Sequence, residues 1–310
     1  MPHWIKLMLV AVTATLLAAC GGDDEPVAQP KNIVETAQAD SRFSILVEAV
    51  VAADLATTLS SPGPLTVFAP TNDAFAALLA ELGVTKDQLL ADKALLTAVL
   101  TYHVLPAKVL RADVPAGKAI TTVQGGIFKV DAVGGDLVIT DGRNRTAKIT
   151  ATNLETSNGV IHVVDKVILP ANKNVVQTAQ ALPDFSILVD AVVAANLQGT
   201  LSGSGPFTVF APTNAAFAAL LAELGVTKDE LLADVPLLTR VLTYHVVSGR
   251  VLKADVPVGA AIPTVEGGTF TIDAGLAITD QRGRQSGIVA TDVLASNGVI
   301  HVVDRVLLPQ

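Results

Sequence analysis

The sequence predicts an α+β fold that is built twice, and three observations support this prediction. Residues 64–126 and 206–268 are identical at 48 of 63 positions without a gap. In each copy, apolar residues with helical spacing come first and short strand-like runs follow, an order typical of α+β domains. Half of the 310 residues are hydrophobic and only 16% are charged, so the chain can bury a sizeable core.

Each repeat begins with helical patterns. The segment Phe43–Val51 has helical apolar spacing, and its copy starts at Phe185. Either Thr71 or Asn72 can cap the next helix by accepting a hydrogen bond from a free backbone N–H, and Gly83 can end it.

Two further helices are predicted by short signals. Thr85–Gln88 has the spacing of a capping box, and Thr227–Glu230 shows the same spacing more clearly. Apolar spacing then predicts a helix over roughly residues 94–101.

The second part of each repeat has the character of strands. Residues 123–132, 137–140 and 148–151 are predicted to be strands. Asn158-Gly159 predicts a two-residue hairpin turn, because both positions tolerate positive φ. A final strand is predicted over residues 160–169.

The N-terminus has the features of an export signal. Residues 7–17 form an eleven-residue, mostly apolar run, which is too short to cross a hydrocarbon core that needs roughly 20 residues. Leu17-Ala18-Ala19-Cys20 matches the bacterial lipobox. We therefore predict a lipoprotein signal peptide over 1–19, an acylated Cys20 and a flexible tether over 20–31; an ordinary signal peptide with a chance cysteine is the alternative.

Three motifs occur in the same order in both repeats, which we place at 32–170 and 171–310. They are TVFAPTNDAF at 66–75, Tyr-His-Val at 102–104 and NGVIHVVDKVILP at 158–170, with counterparts at 208–217, 244–246 and 297–309. Together they resemble the fasciclin domain. The resemblance implies two tandem domains, each a β-wedge packed with several helices, and a role in extracellular adhesion or matrix binding.

The resemblance also implies a binding surface at the Tyr-His pairs. Family members that bind integrins use motifs around this region, which here contains Tyr102, His103, Tyr244 and His245. The sequence has no Arg-Gly-Asp, so integrin binding is not expected.

A second candidate surface lies in two strand connections that each carry Arg-x-Arg. Arg143 and Arg145, and likewise Arg282 and Arg284, would point the same way from an extended segment. They suit an anionic polysaccharide or a lipid head group. A solvated loop is the alternative.

The histidines allow several interpretations. His103, His162, His245 and His301 lie among apolar residues, two in each repeat. Buried imidazoles that hold strands together are the first interpretation; a zinc site or a hydrolase that uses His103 or His162 is the alternative. No H-E-x-x-H and no Gly-x-Ser-x-Gly is present, so we predict no catalytic residue, no metal and no cofactor.

Charge narrows the range of partners. The formal net charge is −8 with no basic face, which makes nucleic acid an unsuitable partner. We predict a non-enzymatic adhesion protein that is anchored to a membrane through the lipid on Cys20. It would sit at the outer membrane or at the periplasmic or extracellular face and bind a matrix, glycan or protein. An envelope carrier of a small apolar ligand, or a stress-related envelope protein, is the alternative.

Overall fold

The computed structural model describes residues 30–310. The predicted signal peptide, Cys20 and all but the last two residues of the predicted tether lie outside the described residues. Lys31–Gln310 form one unit, in which the two repeats have the same succession of elements. The α+β prediction, with two tandem domains, is confirmed.

In the first domain, helices precede and interrupt a set of seven strands. The helices are Ile33–Gln38 (α1), Ser44–Ala52 (α2), Ala56–Ser60 (α3), Asn72–Leu82 (α4), Lys86–Ala91 (α5) and Lys93–Tyr102 (α6). The strands are Leu65–Pro70 (β1), Val104–Leu105 (β2), Ala119–Thr121 (β3), Ile127–Val133 (β4), Asp136–Thr140 (β5), Thr146–Thr156 (β6) and Gly159–Val164 (β7).

The second domain repeats this plan. Its helices are Val175–Gln180 (α7), Ser186–Ala194 (α8), Gln198–Leu201 (α9), Asn214–Leu224 (α10), Lys228–Ala233 (α11) and Val235–Tyr244 (α12). Its strands are Phe207–Pro212 (β8), Val246–Ser248 (β9), Ala261–Pro263 (β10), Thr269–Ile272 (β11), Ala277–Thr279 (β12), Gln285–Ala295 (β13) and Gly298–Val303 (β14). One-turn 3₁₀ helices occur at 41–43, 111–113, 183–185 and 253–255.

Each domain contains one mixed sheet. In the first, the strand order is β2-β1-β7-β6-β5-β4-β3, and β1 and β7 run parallel while the other neighbours are antiparallel. The second domain has the equivalent order. The strand that carries the TVFAPTN motif therefore lies inside the sheet, beside the last strand of its domain.

Strand β1 separates two apolar layers. Because side chains alternate along a strand, Val67 and Ala69 pack against the helices while Phe68 faces the opposite way. Phe68 there meets Phe128 edge to face, with ring centroids 5.1 Å apart. Strands β3 to β6 contribute to this second cluster, with Ile120, Val130, Ile139 and Ile149 among its members.

The sequence allows either Thr71 or Asn72, at the end of the TVFAPTN motif, to cap α4, and the structure shows which of them does. Thr71, not Asn72, caps α4, since its side chain accepts a hydrogen bond from Ala74 N. The Asn72 carboxamide instead accepts from Ile45 N at 3.0 Å and donates to Ser41 O at 2.9 Å. It thereby joins α4 to the start of α2.

The predicted hairpin turn is displaced by one residue. Ser157-Asn158 form the turn, and neither Asn158 nor Gly159 has positive φ. A Cβ at position 159 would lie 2.0 Å from Leu65 O, so glycine is needed there for the close approach of β1 to β7. The Asn158 carboxamide accepts from Ile33 N and donates to Leu59 O, which fixes two helices to the sheet.

The strand predicted over 123–132 is also wrong in its first part. Residues 123–126 lie in a turn, where Gly125 has φ +93°, and β4 begins only at Ile127. The predicted capping boxes at Thr85 and Thr227 are both present.

Candidate functional site

The Tyr-His pairs do not form a surface. Tyr102 and Tyr244 are 0% exposed, and His103 and His245 are 2% exposed. The Tyr102 hydroxyl donates to Ile127 O at 2.5 Å and accepts from Gly142 N at 2.8 Å. The prediction that these four residues bind a partner is wrong, because their side chains lie in the core and hold strands together.

The buried histidines have a defined, neutral state. His103 Nδ1 lies 2.7 Å from Val99 O, and His103 Nε2 accepts from Ile168 N at 3.1 Å. One ring nitrogen therefore donates and the other accepts. Burial lowers the pKa of His103 to about 4. His245 has the same two contacts and, through burial, the same lowered pKa of about 4.

The remaining two histidines are held in the same manner. His162 Nε2 contacts Val109 O at 2.8 Å, and its Nδ1 accepts from Asn153 N at 3.3 Å; His301 repeats these contacts. Burial lowers the pKa of His162 and His301. Both nitrogens of each ring are thus engaged by the backbone, which leaves none to take a proton from a substrate. Within the described part of the chain, no group of three or more His, Cys, Asp or Glu side chains is placed to hold a metal ion.

The two Arg-x-Arg segments are tight turns rather than extended segments, so their arginines do not point the same way. Asp141 is 1% exposed and organises the first turn: its Oδ1 accepts from Arg143 N and Arg145 N, both at 2.9 Å. Its Oδ2 accepts from the Arg145 guanidinium and from Leu169 N.

Arg145 is consequently part of the domain structure. Its guanidinium also pairs with Glu81 at 2.7 Å and donates to Val167 O. Arg284 pairs in the same way with Glu223. These two arginines have protein partners, and the prediction that they serve a ligand is not supported by their contacts.

Arg143 and Arg282 occupy equivalent positions but have different surroundings. Arg282 is exposed and donates Nε to Pro309 O at 2.8 Å. The Arg143 guanidinium makes no hydrogen bond or ion pair with residues 30–310, and its Nε is buried without a partner. Arg143 lies where the first domain meets the second, and it also lines a small apolar pocket with Leu82 and Leu169 of its own domain.

This contact between the domains, here called the seam, contains an ion pair. Lys129 Nζ of β4 lies 2.9 Å from Asp292 Oδ2 of β13 and 3.2 Å from Asp131. The side chain of Asp292 is only 3% exposed. Burial by itself would lower the pKa of Lys129, but the hydrogen bonds and charges of Asp292 and Asp131 raise it.

A second polar contact joins the turn of the first domain to the strand of the second. Asn144 has φ +62° at the tip of the Arg-x-Arg turn. Its carboxamide accepts from Leu294 N at 2.7 Å and donates to Leu294 O at 3.0 Å. This pairing imitates the pattern between two strands and fixes the turn against β13.

Apolar contacts complete the seam. Ile127 of the first domain packs with Leu252, Leu294 and Val299 of the second. Leu252 is 0% and Leu294 is 2% exposed. The two domains therefore share a small apolar core in addition to their own cores.

Two clefts lie along the seam. One, of about 480 Å³, is lined by Arg143, Asn144, Asn172, Lys173 and Leu294, among others. The other, of about 330 Å³, is lined by Gly126, Ala171, Arg250 and Ser296, among others. The linker after Pro170 and the strand around Leu294 contribute to both. These volumes fall within the range of small-molecule pockets, about 300–1,000 Å³.

The spaces between helices and sheet are much smaller. Cavities of about 30 Å³ and 40 Å³ lie at equivalent places in the two domains, beside Val50 and Val192. Such a volume corresponds to about two or three water molecules. An apolar ligand would have to push the helices away from the sheet, so these cavities do not favour the carrier hypothesis.

Sequence reasoning missed the seam residues because each was considered within its own repeat. The signal that finds them is a position-by-position comparison of the repeats. Thr271 stands in the second domain where Lys129 stands in the first, and Glu155 stands in the first where Leu294 stands in the second.

Among residues 30–310, none of the helices combines the length and apolar character needed to cross a bilayer.

Comparison with known proteins gives a family match in both repeats. A model of the fasciclin domain matches residues 41–170 and 183–309. The transforming growth factor-beta-induced protein ig-h3 of Sus scrofa is 31% identical over 253 residues, which are 81% of this chain and 35% of that protein. The chain thus spans about a third of that relative.

Bacterial relatives match one repeat at a time. The protein sll1483 of Synechocystis is 46% identical over 142 residues, covering 44% of this chain and 73% of that protein. A solved pair of FAS1 domains from the insect cell adhesion molecule fasciclin I aligns with 89% of this chain and 95% of that one, at 17% identity and a TM-score of 0.44.

Proposed function

Because the chain belongs to the fasciclin-domain family, we propose that it is a non-enzymatic adhesion protein of the bacterial cell envelope. It holds a matrix, glycan or protein partner, and its lipid on Cys20 attaches it to the membrane. The observation that carries this proposal is the use of two complete fasciclin domains, joined by a seam that leaves open clefts at the domain boundary.

The chemistry of the conspicuous side chains supports binding rather than catalysis. The imidazoles of His103 and His162 are neutral and have both nitrogens bonded to the backbone. The Tyr102 hydroxyl is likewise engaged by the backbone. A general base needs a free nitrogen or oxygen within reach of a substrate, which these groups do not offer.

Attachment of cells tests the adhesion proposal. A strain that lacks the gene should attach less to a matrix-coated surface and form less biofilm, and the gene supplied on a plasmid should restore both. Unchanged attachment in the deletion strain would contradict the proposal.

Lipid anchoring is tested separately with Cys20→Ser. The variant should not incorporate radiolabelled palmitate and should leave the membrane fraction, while the parent chain should incorporate palmitate and remain in the membrane fraction. A variant that stays in the membrane fraction would show that Cys20 is not the anchor.

A further inference from the structure

The larger cleft of the seam presents two cations with no acidic partner. Arg143 and Lys173 both line it, and neither forms an ion pair within residues 30–310. The cleft is lined by no Asp or Glu. In a chain of net charge −8, a cleft that an arginine and a lysine line without any carboxylate is a local exception.

The position of Arg143 is fixed by the fold. Asp141 accepts its backbone N–H at 2.9 Å, and Asn144 next to it is bonded to Leu294 of the other domain. The Arg143 side chain thus leaves a turn that is held on both sides. The turn fixes the backbone from which this side chain extends, and a guanidinium can bind a planar carboxylate through two parallel hydrogen bonds.

The rest of the lining suits a sugar. Asn172 is exposed and its carboxamide has no hydrogen-bond partner within residues 30–310, and Thr178 is a second polar residue that lines the same cleft. These groups match ring hydroxyls as donors and acceptors. Leu182, which is 39% exposed, provides apolar surface for the C–H face of a ring.

The overall charge restricts how acidic the ligand is. A densely charged polyanion would meet repulsion from a surface with net charge −8. One carboxylate per sugar unit, flanked by hydroxyls, satisfies the two cations and limits that repulsion. We propose that this cleft binds a uronic-acid glycan, with Arg143 and Lys173 holding its carboxylate. This inference rests on the proposed function and specifies its ligand.

Binding of a defined oligosaccharide tests the inference. The full chain is titrated by calorimetry with trigalacturonate, with neutral maltotriose, and with inorganic phosphate and sulfate. Trigalacturonate should bind, maltotriose should not, and the simple anions should bind at least about tenfold more weakly because they lack the hydroxyls. Affinity should fall as salt rises from 50 to about 300 mM, since ions screen the charge contact.

The repeats provide matched control variants. Arg143→Ala and Lys173→Ala should each weaken trigalacturonate binding about tenfold. Arg282 and Lys31 are the counterparts of these residues in the other repeat, and Arg282→Ala and Lys31→Ala should leave it unchanged. Thermal unfolding of each variant checks that the fold is intact, and Lys173, exposed in the linker, is the variant that least disturbs it.

Three results would overturn the inference. They are no binding of trigalacturonate, equal weakening by the control variants, and phosphate or sulfate binding as tightly as the glycan. If the gene supports attachment but the chain does not bind trigalacturonate, this inference fails and the proposed function stands. If the chain binds the glycan but the deletion strain attaches normally, adhesion fails while the glycan site remains.

Discussion

At the bulge of the longest strand, the first domain carries Asn153 and the second carries Asp292. Both have φ +60°, and both accept the same backbone hydrogen bond, from Arg111 N in one domain and Lys253 N in the other. Asp292 carries a negative charge and Asn153 does not. The second carboxylate oxygen of Asp292 pairs with Lys129 across the seam.

Other residues at the seam also differ between the two domains. Four residues that meet at the seam differ from their counterparts in the other domain: Lys129 against Thr271, Asn144 against Gly283, Ile127 against Thr269, and Leu294 against Glu155. Leu252 and Val299 of the seam core are the same as their counterparts Leu110 and Val160. Glu155 pairs with Lys108 at the surface, whereas Leu294 is buried and Arg250, the counterpart of Lys108, is left without an ion pair among residues 30–310. The contact between the domains therefore combines exchanged positions with two apolar positions that both domains share.

Acidification should have the largest effect on stability, because both domains contain the same buried histidines. In the unfolded chain His103 and His245 take protons near pH 6.5, but in the folded protein burial lowers their pKa to about 4. Between these values the unfolded state binds more protons, so stability falls as pH falls from 6.5 to 4, by roughly 3 kcal/mol for each histidine.

Urea unfolding at pH 7.5, 5.5 and 4.0 measures this loss. The lowered pKa of His162 and His301 acts in the same direction. His103→Gln should be less stable than the parent at pH 7.5 and lose less on acidification. A free energy of unfolding that does not change over this range would show that the histidines are not kept neutral by the fold.

Leu294→Ala should break the seam. It removes the side chain that packs with Ile127, Leu252 and Val299, and a buried Leu→Ala change costs about 3 kcal/mol. In calorimetry, the second domain should unfold at a lower temperature than in the parent. Glu155→Ala, at the exposed counterpart, should change stability by less than about 0.5 kcal/mol. Equal effects of the two variants would contradict the assignment of the seam core.

Asp292→Asn should give a smaller loss, because it converts the second domain to the residue of the first. The amide still accepts from Lys253 N and tolerates positive φ, while Lys129 keeps only Asp131 as its acidic partner. We expect a loss of about 1–2 kcal/mol by urea unfolding, which high salt reduces. The reverse change, Asn153→Asp, should leave the stability of the seam unaltered.

The smallest effect concerns the cap of α4. Thr71→Ala should cost about 1 kcal/mol because Ala74 N loses its acceptor. Thr213→Ala, at the same position of the second domain, should cost the same, since neither residue takes part in the seam. Different losses at the two positions would mean that the domains are coupled through more than the seam.

The sequence predicted the architecture well because repetition and motif order are local signals. Helix ends at Gly83 and Thr85 follow from capping chemistry that involves neighbouring residues only. The roles of Asn72 and Asn158 could not be predicted, since their partners Ile45 and Ile33 are distant in the chain.

The candidate site was the least predictable part. Tyr102 and His103 stand out as polar residues in the sequence, but polar groups are also used to bond buried backbone, and the sequence does not separate the two uses. Arg143 and Arg145 look alike in sequence. Only the turn made by Asp141 decides that the Arg145 guanidinium pairs with Asp141 and Glu81, while Arg143 has no such partner and lines the cleft.

The seam joins two different faces, head to tail, and contacts of this kind can in principle continue without end from molecule to molecule. Here the exposed copy of each face lacks the groups that would continue the series: the second domain offers Thr271 and Gly283, and the first offers Asn153 and Glu155. The exchanges that join the two domains therefore also keep separate copies of the chain from stacking into a filament through this contact.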